Sequence, residues 1–223
     1  MKLSLTEENY LKAIYHLSTD AEDGVSTNSI AEELNTKAAS VSDMLRKLSK
    51  KKVIDYQKYK GVQITESGKA IALQVIRKHR LWEVFLVEKL DFNWDEVHDV
   101  AEQLEHIKST TLISRLDEFL GYPTMDPHGD PIPDENGEIK ISPQLPLSDF
   151  SENTIGIVVK VPDSDPSLLR HLDKLGMKLG SKIKVIEKVE FDNSALITID
   201  QGNELYLSGE IAKNIMLAVK EYL

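Results

Sequence analysis

The sequence contains no cysteine. This absence excludes disulfides, thiolate zinc sites, Cys-ligated iron–sulfur clusters and cysteine nucleophiles. No stretch approaches the roughly 18 apolar residues of a membrane-spanning helix, and the segment from Met1 to Glu8 lacks the apolar run of a secretion signal. With 41% apolar and 29% charged residues in 223, we expect a soluble, cytoplasmic protein with no membrane partner, built as two small domains or one of intermediate size.

Charge is distributed unevenly along the chain. The formal net charge is −10, but residues 1–80 hold 14 Lys and Arg against 10 Asp and Glu. Residues 81–150 hold 4 against 16, and residues 35–61 hold eight basic residues and only two acidic ones. A basic segment followed by a strongly acidic one predicts a polyanion-binding region next to a cation-binding region.

The amino-terminal segment has the pattern of a winged helix. Apolar residues at helical spacing predict one helix capped by Thr6, a second opened by Ser26 or Thr27, and a third after Lys37. Two short strands, 53–56 and 62–65, follow as a hairpin with a basic tip. Helix–turn–helix followed by such a hairpin is the winged-helix arrangement, which typically binds DNA as a two-fold dimer.

The third helix has the composition of a helix that enters the major groove. Its front is small and polar, which allows close approach to base edges, and basic side chains follow along the helix. Residues of the second helix and the hairpin tip are placed to contact phosphates. A solvated basic face on an ordinary three-helix cluster is the alternative. The predicted DNA-contacting residues are Thr27, Asn28, Ala38, Ala39, Ser40, Ser42, Arg46, Lys47, Lys50, Lys58 and Lys60.

The rest of the chain changes from helices to strands. A long helix from about Ser67 to Leu90 is apolar almost all round after residue 80, which makes it the natural dimer contact. Two more helices, at 95–108 and 110–120, precede a Pro-, Gly- and Asp-rich linker at 121–149. Strands at 155–161, 182–187 and 196–199 and a closing helix from Ser208 follow. The predicted fold class is mainly α with a β-rich carboxy-terminal domain.

Histidines are scarce and concentrated among carboxylates. Of six histidines, His98 and His106 lie at helical spacing with Glu102 between them and Glu105 beside them. At about 100° per residue these four share one arc of a helix. A second pair, His79 and Glu83, is spaced i and i+4 on the preceding helix. The pattern predicts a metal site, with a solvated acidic face as the alternative.

The donor atoms are nitrogen and oxygen without thiolate. This set suits Mn²⁺, or alternatively Fe²⁺, with Zn²⁺ and Co²⁺ as competitors. Crowded carboxylates without a cation would repel one another.

Several motifs resemble those of the DtxR/MntR family of metal-dependent transcriptional repressors, and the resemblance covers essentially the whole chain. The resemblance implies three domains: a winged helix–turn–helix at 1–70, a helical metal-binding and dimerisation domain at 71–140, and a small SH3-like (FeoA-type) barrel at 141–223. The motifs are Arg77-Lys78-His79-Arg80-Leu81 with Glu83, the segment from His98 to His106, Pro127-His128-Gly129-Asp130-Pro131-Ile132-Pro133, and the segment from Leu172 to Gly180.

The resemblance also implies two metal sites, one formed by His79, Glu83 and His98 and the other by Glu102, Glu105 and His106. Iron-responsive members have Cys at the Glu102 position, whereas manganese regulators have a carboxylate there, which favours Mn²⁺. The linker residues Asp126 and His128 match further ligands, and Asp163 is the candidate from the third domain. Where the first helix of relatives supplies Met or Asp, this sequence has Asn9, with neighbouring Glu8 as the alternative donor.

The expected function is metal-dependent repression of metal-homeostasis genes by a homodimer on a palindromic DNA operator. Two rivals remain open. A metal-dependent hydrolase would use the same His and Glu cluster, although no His-Glu-x-x-His, phosphate loop or nucleophile elbow occurs in the sequence. A winged-helix regulator of a small organic ligand would use the acidic helices only as structure.

Overall fold

A computed structural model describes residues 3–18, 24–57 and 61–219. They form two compact units, each described separately. The amino-terminal unit comprises the residues up to His79 together with Gln103–Ile113 and Pro133–Ile139. The carboxy-terminal unit comprises Arg80–Glu102, Ser114–Ile132 and the residues from Lys140 onward. Within the described ranges, no helix combines the length and apolar character needed to cross a membrane.

The amino-terminal unit is built on a helix–turn–helix with a two-stranded wing. The strands pair antiparallel from Ile54 opposite Ile64 to Gln57 opposite Gly61, and Val25 adds a bridge to Val62. A core of fully buried aliphatic side chains, among them Leu11, joins the helices and the wing. The elements are α1 (Leu5–Ser18), α2 (Thr27–Glu33), α3 (Ala38–Lys50), β1 (Ile54–Gln57), β2 (Gly61–Ile64) and the start of α4 (Glu66–Leu90).

The caps of α1 and α2 explain where these helices begin. Ser4 and Glu7 form a reciprocal capping box, in which Ser4 N donates to Glu7 Oε2 at 2.8 Å and Glu7 N donates to Ser4 Oγ at 3.3 Å. The expectation that Thr6 caps α1 is therefore wrong, because the helix already begins at Leu5. Ser26 caps α2 by accepting a hydrogen bond from Ser29 N at 3.0 Å.

The carboxy-terminal unit combines helices with a six-stranded antiparallel sheet. The strand order is β3-β8-β4-β5-β6-β7, and an apolar core lies against the sheet. The remaining elements are α5 (Val97–Leu104), α6 (Thr110–Phe119), β3 (Leu145–Pro146), a 3₁₀ turn (Leu147–Asp149), β4 (Ile155–Lys160), α7 (Pro166–Lys174), β5 (Lys182–Lys188), β6 (Ala195–Ile199), β7 (Glu204–Leu207), α8 (Gly209–Asn214) and β8 (Met216–Val219).

The predicted fold class is confirmed: a mainly α chain with a winged helix and a β-rich, SH3-like carboxy-terminal domain. Three details differ. Helix α5 is shorter than the predicted 95–108, helix α7 was not predicted, and neither were the strands β3, β7 and β8. The domain boundaries at residues 70 and 140 stay a prediction.

The segment at 121–149 is more ordered than the predicted linker. In the amino-terminal unit, the Arg77 guanidinium donates to the carbonyl oxygen of Pro133 at 2.7 Å, and Gln74 donates to that of Glu135 at 3.0 Å. The sequence could not predict these contacts, because the acceptors are backbone carbonyl groups and no side-chain pattern indicates them.

Candidate metal centre and nucleic-acid interface

Three acidic or imidazole side chains meet in the carboxy-terminal unit. Glu83 comes from α4, His98 from α5, and Asp163 from the loop between β4 and α7. Nδ1 of His98 lies 3.1 Å from Asp163 Oδ2 and 3.8 Å from Glu83 Oε1. One ligand atom from each of the three lies within 4.8 Å of the others. The structure therefore brings together donors from three separate elements around one point.

A second group also contains Glu83 and adds two residues from the segment 121–149, Asp126 and His128. Nδ1 of the fully buried His128 lies 3.9 Å from Glu83 Oε1 and 4.0 Å from Asp126 Oδ1. The other ring nitrogen, Nε2, lies 2.7 Å from the carbonyl oxygen of Trp94, so it must carry the proton and donate. In the neutral ring, Nδ1 then carries the lone pair and can accept a hydrogen bond or bind a metal. It has no hydrogen-bond partner among the described residues.

Asp126 is held rigidly in this group. Its Oδ1 accepts hydrogen bonds from the backbone N–H groups of His128 at 2.8 Å and Asp130 at 2.9 Å, and Arg80 Nε lies 3.5 Å from Oδ2. Burial raises the pKa of Asp126 to about 7, with the nearby charges of Glu83 and Asp130 contributing and those of Arg80 and His128 opposing. Ionising a second carboxyl group beside Glu83 is therefore costly at this buried point.

The loop that carries Asp126 and His128 is attached to strand β4. Val161 N donates to the carbonyl oxygen of His128 at 2.9 Å, and the Lys160 ammonium lies 2.8 Å from Asp130 Oδ1. Gly129 has φ +89°, and a Cβ atom there would lie 1.9 Å from the carbonyl oxygen of Val159. Only glycine permits this approach, so the β-rich domain positions the loop as well as supplying Asp163.

The donor set fits a divalent cation. Glu83, Asp126 and His128 are all buried, and one ligand atom from each lies within 4.8 Å of the others. Two buried carboxylates beside a buried imidazole ring need a positive charge to be stable together. Oxygen-rich ligation with imidazole and without thiolate suits Mn²⁺ or Fe²⁺.

A separate cluster lies in the amino-terminal unit. The fully buried Glu105 accepts from the Lys12 ammonium at 2.8 Å through Oε2, and the same oxygen lies 2.7 Å from His79 Nδ1. Burial raises the pKa of Glu105, but the hydrogen bond from His79 and the charge of Lys12 outweigh burial and lower it below its ordinary value. His106 Nδ1 lies 2.7 Å from Glu8 Oε2. Glu105 is thus charged and already compensated.

The predicted ligands divide between the two units. The carboxy-terminal unit contains Glu83, His98, Glu102, Asp126, His128 and Asp163, and the amino-terminal unit contains Asn9, His79, Glu105 and His106. Glu102 is 44% exposed, and its carboxylate lies 3.7 Å from His98 Nε2. Asn9 Oδ1 is buried without a hydrogen-bond partner among the described residues. Metal ligation by each of these residues stays a prediction.

Several contacting residues were not anticipated. Arg80, Asp130, Lys160 and the Trp94 carbonyl fix the ligand loop, and Lys12 holds Glu105. Arg80 and Asp130 belong to the motifs quoted above, which is the one signal that the sequence offered. A backbone carbonyl and a lysine 93 positions from its partner leave no recognisable pattern.

The predicted DNA-contacting face is built on α2 and α3. Ala38, Ala39 and Ser40 are exposed at the start of α3, and Val41, Leu45 and Leu48 anchor its other side in the core. The remaining predicted residues on α2 and α3 are exposed or half-buried; they are Thr27, Asn28, Ser42, Arg46, Lys47 and Lys50. Lys58 and Lys60 lie outside the described residues, and DNA contact by all of these stays a prediction.

Three family sequence models match consecutive parts of the chain. Residues 2–62 match the iron dependent repressor N-terminal DNA binding domain, residues 65–134 its metal binding and dimerisation domain, and residues 145–219 the FeoA domain. A solved structure described as a manganese-dependent transcriptional repressor complex with manganese is 36% identical, with a TM-score of 0.86, and covers 96% of this chain and 99% of its own. The chain belongs to the family of metal-dependent transcriptional repressors.

Curated members of this repressor family resemble the chain over a shorter length. The iron-dependent repressor IdeR of Mycobacterium tuberculosis is 37% identical over 130 residues, which span 57% of this chain and 55% of that protein. The regulator MntR of Oceanobacillus iheyensis is 34% identical over 115 residues, which span 52% of this chain and 77% of that protein. The match to IdeR thus covers about half of the length of that repressor.

Proposed function

We propose that this protein is a transcriptional repressor that binds a palindromic double-stranded operator as a homodimer in the cytoplasm when Mn²⁺ occupies its acidic sites. Fe²⁺ is the alternative physiological ion, and Zn²⁺ and Co²⁺ are competitors in vitro. The observation that carries the proposal is the position of His128 Nδ1, which faces the buried carboxylates of Glu83 and Asp126 while Nε2 is held by the Trp94 carbonyl oxygen. Membership of a repressor family supports a regulatory role without catalysis.

The metal ligands of the carboxy-terminal unit would be Glu83, Asp126 and His128, with His98 and Asp163 sharing the Glu83 carboxylate. A bound divalent ion supplies the positive charge that these buried groups lack. The protein residues do the positioning: the Trp94 carbonyl fixes the tautomer of His128, and Arg80 and Lys160 hold the loop through Asp130. Such fixed partners of ligands typically raise metal affinity by about 10–100-fold.

Helix α1 connects the second predicted site with the DNA-reading helix inside the amino-terminal unit. Both carboxylate oxygens of Glu7 on α1 lie 2.7–2.8 Å from the ammonium of Lys51, directly after the end of α3. Any restraint on α1 therefore reaches α3. The metal changes DNA binding only to the extent that it binds the DNA-competent conformation more tightly than the other conformations. A coupling of about 1–3 kcal/mol corresponds to a roughly 5–150-fold change in DNA affinity.

An apolar face of the carboxy-terminal unit supports the homodimer. The rings of Trp82 and Phe85 lie 5.7 Å apart, and Phe85 lies 6.3 Å from Phe119, which is 63% exposed. Leu90 is 52% exposed on the same helix as Trp82. A cluster of aromatic and aliphatic side chains with exposed members is typical of a subunit interface.

DNA selection followed by a binding titration tests this function. Random duplexes are selected on the protein with Mn²⁺, and binding of the selected duplex is then measured with Mn²⁺ and with chelator. We expect an inverted repeat and tighter binding by about 5–150-fold with Mn²⁺. His106→Ala, which removes a predicted ligand that contacts Glu8 of α1, should lose the Mn²⁺ response. Lys69→Gln, at an exposed position in the same unit, should retain it. Equal affinity with and without metal would discard the proposal.

A further inference from the structure

Lys12 provides a cation at a position where the sequence predicts a metal ion. Its Nζ lies 2.8 Å from Glu105 Oε2, and the side chains of Lys12 and Glu105 are 13% and 0% exposed. The two residues are 93 positions apart, so the ion pair joins α1 to the turn after α5. A buried pair of this kind is hard to separate, because the carboxylate would be left buried and uncompensated.

The other donor atoms of this cluster still suit a metal. Oε1 of Glu105 and Oδ1 of Asn9 are buried and have no hydrogen-bond partner among the described residues. His106 Nε2 lies 3.6 Å from Glu105 Oε1, and the contact of His106 Nδ1 with the Glu8 carboxylate at 2.7 Å places the ring proton on Nδ1. Nitrogen and oxygen donors of this kind are the ligands that Mn²⁺ takes.

The charge balance differs between the two clusters. At Glu105, Lys12 and His79 share one carboxylate oxygen, and Lys78 lies close enough to interact with both Glu8 and Glu105. Around Asp126, the three carboxylates of Glu83, Asp126 and Asp130 face only two lasting cations among the described residues, the Arg80 guanidinium and the Lys160 ammonium. A divalent ion gains more where negative charge is in excess.

We propose that Lys12 is an intramolecular competitor for the second metal ion. Its ammonium holds α1 against Glu105 in the metal-free protein and raises the metal concentration at which Asn9, Glu105 and His106 take up an ion. The site of Glu83, Asp126 and His128 then fills first. This inference rests on the proposed function. It states that Lys12 sets the metal concentration at which the second site is filled. Glu7 links the same helix to Lys51, directly after α3. By holding α1 in place, Lys12 therefore also restrains α3 in the metal-free protein.

Calorimetric titration with Mn²⁺ tests the competition in a His128→Ala background, which removes a ligand of the first site. Lys12→Gln should bind Mn²⁺ at the remaining site about tenfold more tightly, within the range of coupling between two sites. Lys12→Arg keeps the charge and should titrate like its parent. Lys69→Gln removes a charge from an exposed position on α4 and should also leave the titration unchanged. Equal or weaker binding by Lys12→Gln overturns the inference.

Thermal unfolding gives a readout that needs no DNA. Without metal, Lys12→Gln should unfold at a lower temperature than its parent, and Mn²⁺ should raise its midpoint by more. Lys12→Met, which retains the apolar stem, is the second variant if Lys12→Gln does not fold without metal, and it should behave in the same way. A metal-free midpoint unchanged by both substitutions contradicts the role of the ion pair.

The failure of this inference can be told from failure of the proposed function. If operator binding by the unaltered protein does not respond to Mn²⁺, the proposed function fails whatever Lys12 does. If it responds but the Lys12 variants titrate like their parent, only the competitor role fails.

Discussion

Nδ1 of His128 lies 3.9 Å from Oε1 of Glu83, and both side chains are completely buried. The carbonyl oxygen of Trp94 holds the opposite ring nitrogen at 2.7 Å, so in the neutral ring the nitrogen that faces Glu83 carries the lone pair. A buried lone pair opposite a buried carboxylate is unfavourable without a cation between them. The Trp94 contact sets the direction of the ring, and the carboxylate that faces its other side favours a cation as the ligand.

Replacing His128 by Ala should lower Mn²⁺ affinity in the carboxy-terminal unit by about 100-fold or more, since loss of residues that merely orient ligands already costs about 10–100-fold. Calorimetry measures the effect. His171→Ala, an exposed histidine on α7, is the matched control and should bind Mn²⁺ like the unaltered protein. Retained tight binding by His128→Ala would show that the buried group is not a metal site.

Metal binding should release a proton from Asp126 at mildly acidic pH. Its pKa in the folded, metal-free protein is about 7 against an ordinary value of 3.8. Stability of the metal-free protein should therefore fall as pH rises from 3.8 to about 7, because the unfolded chain ionises first. Metal must displace this proton below pH 7, so the affinity for Mn²⁺ should rise up to that pH.

Proton release is measured by calorimetry in buffers of different ionisation enthalpy at pH 6 and pH 8. The release at pH 6 should exceed that at pH 8, and Asp126→Asn should lose the Asp126 contribution. Asp134→Asn changes an aspartate in a similar turn, where Oδ1 accepts from Asn136 N and Glu138 N, and should behave like the unaltered protein. Identical proton release by Asp126→Asn and the unaltered protein would contradict the assignment.

Gly129→Ala should destabilise the carboxy-terminal unit and weaken its metal site together. The added Cβ would lie 1.9 Å from the Val159 carbonyl oxygen, at a backbone φ of +89°. Strain and overpacking together predict a loss of about 2–4 kcal/mol in the free energy of unfolding. Gly121→Ala is the control for strain alone, because its φ is +76° but nothing lies within 4 Å of its Cβ. Similar losses for both variants in urea unfolding would contradict the importance of the close approach.

The ion pair between Glu7 and Lys51 should couple α1 to α3. Hydrogen bonds from Lys51 and Ser4 outweigh burial and lower the pKa of Glu7. A double-mutant cycle with Glu7→Gln and Lys51→Met should give a coupling of about 1 kcal/mol in the free energy of unfolding, as expected for partly buried neighbours in contact. Additive effects of the two substitutions would show that the pair does not transmit restraint between the helices.

The sequence predicted those features that depend on local patterns. Apolar spacing located α2, α3 and the wing, and the spacing of His98 with Glu102 located an acidic face on α5. It could not predict contacts that tertiary structure alone creates. Helix α7 was missed because its apolar residues, among them Leu169 and Leu172, stand in a short segment flanked by turn residues. The partners of Glu105 were equally hidden, since Lys12 looks like any solvated lysine of an amphipathic helix.

Strand β4 ends in an irregular pairing, with a register shift against β8 between Val158 and Lys160. The residues at and beyond this shift hold the loop of His128 through Val161 and Lys160, and Asp163 follows two positions later. A chimera that exchanges the carboxy-terminal domain with that of a relative therefore cannot be spliced at the residue 140 boundary alone. The two proteins have to match in the length of the end of β4 and in the glycine at position 129 that packs against it. Otherwise we expect the chimera to fold but not to respond to metal.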